Sequence, residues 1–203
     1  MIKIQGKLPR KIQVACSGGV DSMVVLDFLK NNHDVTVVHF HHGTAHADDA
    51  FGFVNRYCDN HNLRLLNHGI GNDSIPPGRS KEDFWREKRY NFFERLTDAP
   101  LITCHHLDDC VETWIFSSLH GQGKIIPYRR KTIIRPFRLN RKRDFELWAT
   151  MKNVPYLEDD SNTELCYNRN YIRHKMMPHV LHVNPGIHKV VAKKVKEDEF
   201  GNA

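Results

Sequence analysis

Apolar and polar positions follow two periods along this chain, and the periods take turns. Lys11–Cys16, Val35–His39, Leu63–Leu66 and Pro100–Cys104 are short apolar runs bounded by polar or glycine-rich residues. Runs of that length, so bounded, predict four buried strands. Between them the spacing becomes helical. Val25, Leu26 and Leu29 share one face of Met23–Lys30, and Phe51, Val54 and Cys58 one face of Ala47–His61. Phe84, Trp85, Phe92 and Leu96 mark a charged amphipathic helix over Lys81–Leu96. Asp108–Ser118 reads as the helix after the fourth strand, and Asn67–Ser80, rich in Gly, Pro and Asn, as a loop.

Strands alternating with helices predict an α/β fold, a Rossmann-like parallel sheet with helices on both faces. Ligands of such sheets bind beyond the carboxyl ends of the strands. The two least ordinary segments, SGGVDS at 17–22 and CHHLDD at 104–109, both fall there. Past Leu119 the pattern loosens. His120–Lys131 is a Gly-rich basic loop, Arg141–Lys152 a helix with Phe145 and Trp148 three apart, and Tyr171–Leu181 a short helix. We expect residues 1–185 to form one catalytic domain, with 119–185 its less regular part, and 186–203 to be a charged tail, helical or frayed.

Composition narrows the classes. Of 203 residues, 40% are hydrophobic and 27% charged, ordinary for a globular protein. No apolar run approaches the roughly 18 residues of a membrane helix, and the first residues lack the apolar core of a signal peptide. The expected location is the cytoplasm, with no membrane partner. Five cysteines, an odd number with no C-x-x-C pair, argue against a disulfide framework or zinc ribbon and for reduced thiols. A net charge of +6 with 14 histidines besides favours a polyanionic partner, nucleic acid first. A merely solvated basic surface is the plain alternative.

The segment Ser17-Gly18-Gly19-Val20-Asp21-Ser22, after a strand and before a helix, suits a phosphate cradle. Paired glycines let bare backbone N–H groups approach an anion, and the helix turns its positive end toward it. Ser17 and Ser22 add hydroxyl donors. Asp21 would repel phosphate, so it caps the turn or holds Mg2+ through the phosphates. The segment lacks the G-x-x-x-x-G-K-[ST] of a Walker loop and the third glycine of a dinucleotide fingerprint. It resembles the PP-loop of ATP pyrophosphatases, which split ATP into AMP and pyrophosphate.

Five further segments carry a narrower resemblance. Val37–Gly43 closes the second strand with His39, His41 and His42, where strand-end backbone can read an adenine edge; a solvated loop is the ordinary alternative. Glu82, Arg86 and Arg89, followed by Tyr90, share one helical face, as an exposed ion-paired stripe also would. Cys104–Thr113 places His105, His106, Asp108, Asp109 and Glu112 at a strand end, where an aspartate can cap the next helix and the histidines can bind metal. Ile134-Arg135-Pro136 comes next, and then Val154–Asn162 with Arg169–His174. Together these strings resemble the tRNA(Ile)-lysidine synthetase family, in motifs running from Val14 to Pro178.

The resemblance implies ATP and Mg2+ as cofactors, and as partners free lysine and a tRNA(Ile) with the anticodon CAU; a homodimer stays open. It implies that ATP adenylates the wobble cytidine at C2 and releases pyrophosphate, and that the lysine ε-amine then displaces AMP to give lysidine. It assigns Asp109, Asp108, His106, Glu112 and Arg89 to catalysis, with Asp109, Glu112 and His106 as candidate bases. Ser17, Gly18, Gly19, Val20, Asp21, Ser22, His39 and His42 would bind ATP, and Asp21 and Asp109 Mg2+. Arg86, Arg129, Arg130, Arg135, Asn170 and Arg173 would hold tRNA or lysine. The chain departs from the family at Gly121–Lys131, where the glycine segment is shorter and basic, and in stopping where many members add C-terminal tRNA-gripping domains. Three rivals remain: a tRNA cytidine thiolase, which normally needs C-x-x-C cysteines; a small-molecule ligase of the GMP or NAD synthetase kind; and a silent tRNA binder.

Overall fold

The computed structural model describes residues 2–70, 75–158 and 167–200. Six strands form one sheet: β1 (Lys11–Ala15), β2 (Asp34–His41), β3 (Arg64–Gly69), β4 (Leu101–Ile102), β5 (Arg129–Arg130) and β6 (Ile133–Ile134), in the order β3-β2-β1-β4-β6-β5. Central β1 sets Val14 beside Val37 of β2 and Ile102 of β4, all parallel. At one edge β5 runs antiparallel to β6, turning through Lys131 with a left-handed φ of 53°. The segment 120–131 is therefore not wholly a loop, and the sheet is mostly rather than entirely parallel.

Alternation along the strands gives the sheet two buried faces. Val35 and Val37 of β2, with Ile102 and Ile134, pack on one side beneath α1 (Val20–Lys30), α2 (Ala45–Asn60) and α5 (Lys142–Lys152). Val38 and Phe40, with Leu101 and Ile133, pack on the other against Tyr90 and Phe93 of α3 (Lys81–Phe93). Local signals start these helices: Thr44 accepts from the Ala47 amide at 3.2 Å and Ser80 from the Asp83 amide at 3.3 Å, satisfying donors at the first turns of α2 and α3.

A second cluster lies beside the sheet. Leu107, Cys110, Val111 and Ile115 of α4 (Leu107–Leu119) meet Ile172, Ile187, Val191 and Val195. Ile172 opens a π-helical turn, Ile172–Met176, between α6 (Asn168–Tyr171) and α7 (Met177–Val183). The last three belong to α8 (Ile187–Phe200). The boundary expected at 186 thus does not follow the packing. Ile187, Val191 and Val195 recur every four residues and are buried, so the charged segment takes its helical form and packs this face into the core. Arg138, with no exposure, donates to Asp198 Oδ2 and to the Ile126 carbonyl, both at 2.7 Å, and fastens the far end of α8.

Among the described residues Cys16, Cys58, Cys104 and Cys110 are free thiols, and no helix is long and apolar enough to cross a membrane. Cys166 and residues 159–162 of the Val154–Asn162 string lie outside the described residues, as does the side chain of Glu82.

Candidate nucleotide and nucleic-acid site

The loop 17–22 leaves β1 at its carboxyl end. Gly18 has a φ of 90°, which L side chains rarely adopt, and a Cβ there would meet Phe53 and Val54 only at an ordinary 3.6 Å. Backbone conformation, not space, is what requires glycine at this position. Ser22 Oγ donates to the Gly19 carbonyl at 2.9 Å, accepts from the Ser17 amide at 3.2 Å and lies 3.3 Å from Ser17 Oγ. Gly19 caps α1 with no side-chain hydrogen bond, leaving the positive first turn open for an anion. Leu157 donates to the Gly18 carbonyl at 2.9 Å, so the Val154–Asn162 string touches the loop at its described end.

His39 stands next to this loop. Its Nδ1 lies 2.9 Å from the Cys16 carbonyl, while its Nε2 is buried without a partner. Burial depresses its pKa, so the ring is neutral. His42 is lowered to about 4 by burial and by the nearby Arg89 charge, and lies against Trp85 with ring centres 5.2 Å apart. Neither imidazole is a cation at neutral pH, which suits contacts to a base or sugar better than to phosphate.

The CHHLDD segment forms the start of α4. His106 and Asp109 make a reciprocal cap: the Asp109 amide donates to His106 Nδ1 at 3.3 Å, and the His106 amide to Asp109 Oδ2 at 2.9 Å. With Nδ1 accepting, the ring N–H is at Nε2, 3.8 Å from Asp21 Oδ2. Asp108 accepts from Arg141 Nε at 3.1 Å, from the Lys142 amide at 2.8 Å and from His188 Nε2 at 3.1 Å. Burial works to raise its pKa, but the His188 and Arg141 contacts hold it well below the carboxylate range. His105 faces Thr103 Oγ1 at 3.0 Å and is driven to about 3 by burial.

Two buried carboxylates face two arginines from the far end of the chain. Arg169 reaches Asp109 Oδ1 at 2.6 Å and Glu112 Oε2 at 3.1 Å. Arg173, from the π-helical turn, reaches Glu112 Oε1 at 2.7 Å and Asp109 Oδ1 at 3.4 Å. Burial opposes ionisation of Asp109, yet the adjacent His106 and the Arg169 guanidinium bring it to about 2. The carboxylates are almost fully enclosed, while the arginine side chains keep 39% and 33% exposure. The positive groups form the outer side of the cluster.

Other expected positions fall elsewhere. Arg135 is buried, donates to the Pro127 carbonyl at 3.0 Å and braces the basic loop from inside, so it offers no surface to a nucleic-acid backbone. Arg130 is held by Glu94 at 2.9 Å, whereas Arg129 is exposed at the sheet edge. Arg86 lies over the Tyr90 ring at 5.1 Å in a groove of about 410 Å³ shared with Arg79 and Arg130. Asn170 is buried on α6. Asp109 does not serve as an open metal ligand, because Arg169 occupies it. Among the described residues no group of three or more His, Cys, Asp or Glu side chains is placed for a metal ion. Asp21 is likewise engaged, by Lys142, so a divalent cation would have to arrive on the phosphates of a nucleotide.

Sequence reasoning passed over Lys142, Arg141 and His188. Lys142 Nζ sits 2.9 Å from both oxygens of Asp21. Only Arg169, visible four residues before Arg173, left a local trace.

A mostly parallel sheet with an uncapped glycine turn at its carboxyl edge defines a nucleotide-binding α/β domain. Residues 2–180 match the PP-loop domain family, and the chain belongs to it. It is 29% identical over 202 residues to a tRNA(Ile)-lysidine synthase of Francisella philomiragia, covering 93% of this chain and 50% of that protein. It is 33% identical over 194 residues to the one of Neisseria meningitidis, covering 86% and 44%. The chain thus spans about half the length of the curated relatives it matches. Among solved structures it is similar to the U34-tRNA thiolase NcsA of Methanococcus maripaludis, with a TM-score of 0.76, 15% identity and coverage of 95% and 73%, a likeness of fold alone.

Proposed function

We propose that the protein activates the wobble cytidine of a CAU-bearing tRNA(Ile) with ATP and joins lysine to its C2. The carrying observation is one shared edge: the open turn 17–22 and the arginine-covered carboxylates Asp109 and Glu112 stand at the ends of neighbouring strands β1 and β4. One suits a polyphosphate, the other an amine and a nucleic-acid backbone.

In this reading the cytosine O2 attacks the α-phosphorus, and pyrophosphate leaves with the electron pair of the broken P–O bond. The amides after Gly18 and the hydroxyls of Ser17 and Ser22 receive the developing charge. Mg2+, accompanying the nucleotide and held through phosphate near Asp21, would supply further charge neutralisation. The lysine amine, entering as its free base, then forms the C2–N bond as AMP departs with the electron pair of the C2–O bond, and the proton released from nitrogen passes to water. Asp109, at about 2, is too weak a base for that amine, and His106 has Nδ1 committed to its cap and its proton on Nε2. Asp109 and Glu112 are better suited to holding a cation than to removing a proton, which revises their expected role.

Sulfur transfer is disfavoured. Burial pushes the Cys16 and Cys104 thiols up, and Cys58 and Cys110 to about 12, so among the described residues no cysteine is a ready thiolate. The test is incubation with ATP, Mg2+, labelled lysine and tRNA(Ile) bearing CAU, with tRNA(Met) as control. Label in tRNA(Ile) alone supports the proposal. Pyrophosphate release without label refutes lysine as the nucleophile, and neither signal refutes activation by this chain.

A further inference from the structure

Beside the glycine turn lies a cation that neither the motifs nor the function above has used. Lys142 is the first residue of α5, and its ammonium bridges both oxygens of Asp21 from 121 positions away in sequence. Asp21 sits in the first turn of α1, the helix whose open end forms the phosphate cradle. An aspartate there complements the helix but repels a phosphate. The lysine side chain stays 35% exposed and the aspartate 30%, so water screens their pairing and it adds little to the fold. A fold tie of that size does not explain the apparatus that aims the lysine. Its backbone amide is fixed by Asp108 at 2.8 Å, and Asp108 is fixed in turn by Arg141 and by His188 of α8. Three helices, α4, α5 and α8, thus converge to place one half-exposed ammonium at the mouth of the turn.

We propose that Lys142 is a ligand of the nucleotide polyphosphate: held on Asp21 in the free protein, it offsets the aspartate charge and donates to phosphate oxygens when a nucleotide enters. Within the loop 17–22 the only charged side chain is that of Asp21, so the cradle by itself is electrically unfavourable for an anion. Lys142 reverses that sign locally, and an ammonium with three donors can keep Asp21 while reaching a second acceptor. The inference rests on the reading of the loop as an ATP site.

Calorimetric titration with MgATP, AMP and inorganic pyrophosphate tests it on the full chain, comparing wild type with Lys142→Gln, Lys142→Arg and, as a control on the same helix, Lys152→Gln. Lys142→Gln is expected to weaken ATP and pyrophosphate by about ten- to a hundredfold while AMP changes less than about threefold. Lys142→Arg should recover most of the loss, and Lys152→Gln should bind as wild type does. Unchanged ATP affinity in a Lys142→Gln protein that melts like wild type overturns the proposal. So does an equal loss for ATP and AMP, which would make Lys142 a shaper of the loop. Wild type that binds no ATP instead overturns the loop reading itself, and is told apart because it appears before any substitution.

Discussion

Replacing Asp198 by alanine removes the carboxylate from a guanidinium that has no contact with water. Arg138 would keep the Ile126 carbonyl at 2.7 Å and a long contact to the Val195 carbonyl at 3.4 Å, while its Nε already lacks a partner. The Tyr128 amide, now 2.8 Å from the same Asp198 oxygen, would lose its acceptor as well. Breaking one side of a buried pair costs about 3–5 kcal/mol, because the remaining charge is stranded. Asp198 keeps 18% exposure near the end of α8, so water can partly replace it and the low end, about 3 kcal/mol, applies. In a domain of this size that corresponds to a fall in melting temperature of about 6–12 °C. Urea unfolding followed by tryptophan fluorescence at neutral pH measures it, with unchanged m showing that both end states persist. Asp198→Asn, which keeps an acceptor but no charge, should fall between. Glu197→Ala, which removes an exposed partner 4.0 Å from Lys193, should stay within about 0.5 kcal/mol. A loss below about 1 kcal/mol in Asp198→Ala would refute the reasoning, showing that Arg138 is hydrated and α8 is not fastened through it.

Asp109 ionises at about 2 in the folded protein against an ordinary 3.8, so its stabilisation is complete above the unfolded value and is lost as pH falls toward 2. Asp109→Asn should remove about 2 kcal/mol of that acid dependence, and an acid limb as steep as wild type would contradict the ion cluster. Gly18→Ala, forced to a φ of 90°, should cost about 1–2 kcal/mol and weaken ATP binding; a melting curve and titration matching wild type would show that the turn tolerates a side chain. Because Glu94 holds Arg130, Arg129→Glu alone should reproduce most of the loss of tRNA affinity in the double Arg129→Glu, Arg130→Glu protein, with a shallower salt dependence; equal affinity across salt concentrations would make the edge a bystander.

What the sequence disclosed and what it hid divide by contact range. The strands and the glycine turn are local, a short apolar run and a pair of glycines; so is the start of α4, although the aspartate expected as its cap gives way to His106, with Asp109 three residues on. Those signals place the carboxyl edge of the sheet. Lys142 and His188 were silent because their partners, Asp21 and Asp108, lie 121 and 80 positions away, and a charged residue beside other charged residues reads as solvated surface. The edge hairpin was hidden because a strand of two arginines has no apolar alternation to show. For α8 the signal was present: Ile187, Val191 and Val195 keep helical spacing, but the lysines and acids between them dominate the composition. The ion pairs on Asp109 were hidden for a related reason, since the arginines that occupy it are 60 and 64 residues downstream.

The cluster of Asp109, Glu112, Arg169 and Arg173 is a closed circuit, and this has a kinetic meaning for any amine that is to enter it. A free amine does not meet an empty acidic pocket; it meets carboxylates already engaged by tethered competitors. A group held on the same chain behaves like a ligand at roughly millimolar effective concentration. A single ammonium, with fewer donors than a guanidinium fork, loses that contest. Under the proposed function, a polyanion that reached the exposed outer side of the arginines and drew them outward would change that contest. The carboxylates would be released only once the negatively charged partner was in place. The side of the ion pairs that faces water would then favour one order of arrival, polyanion before amine.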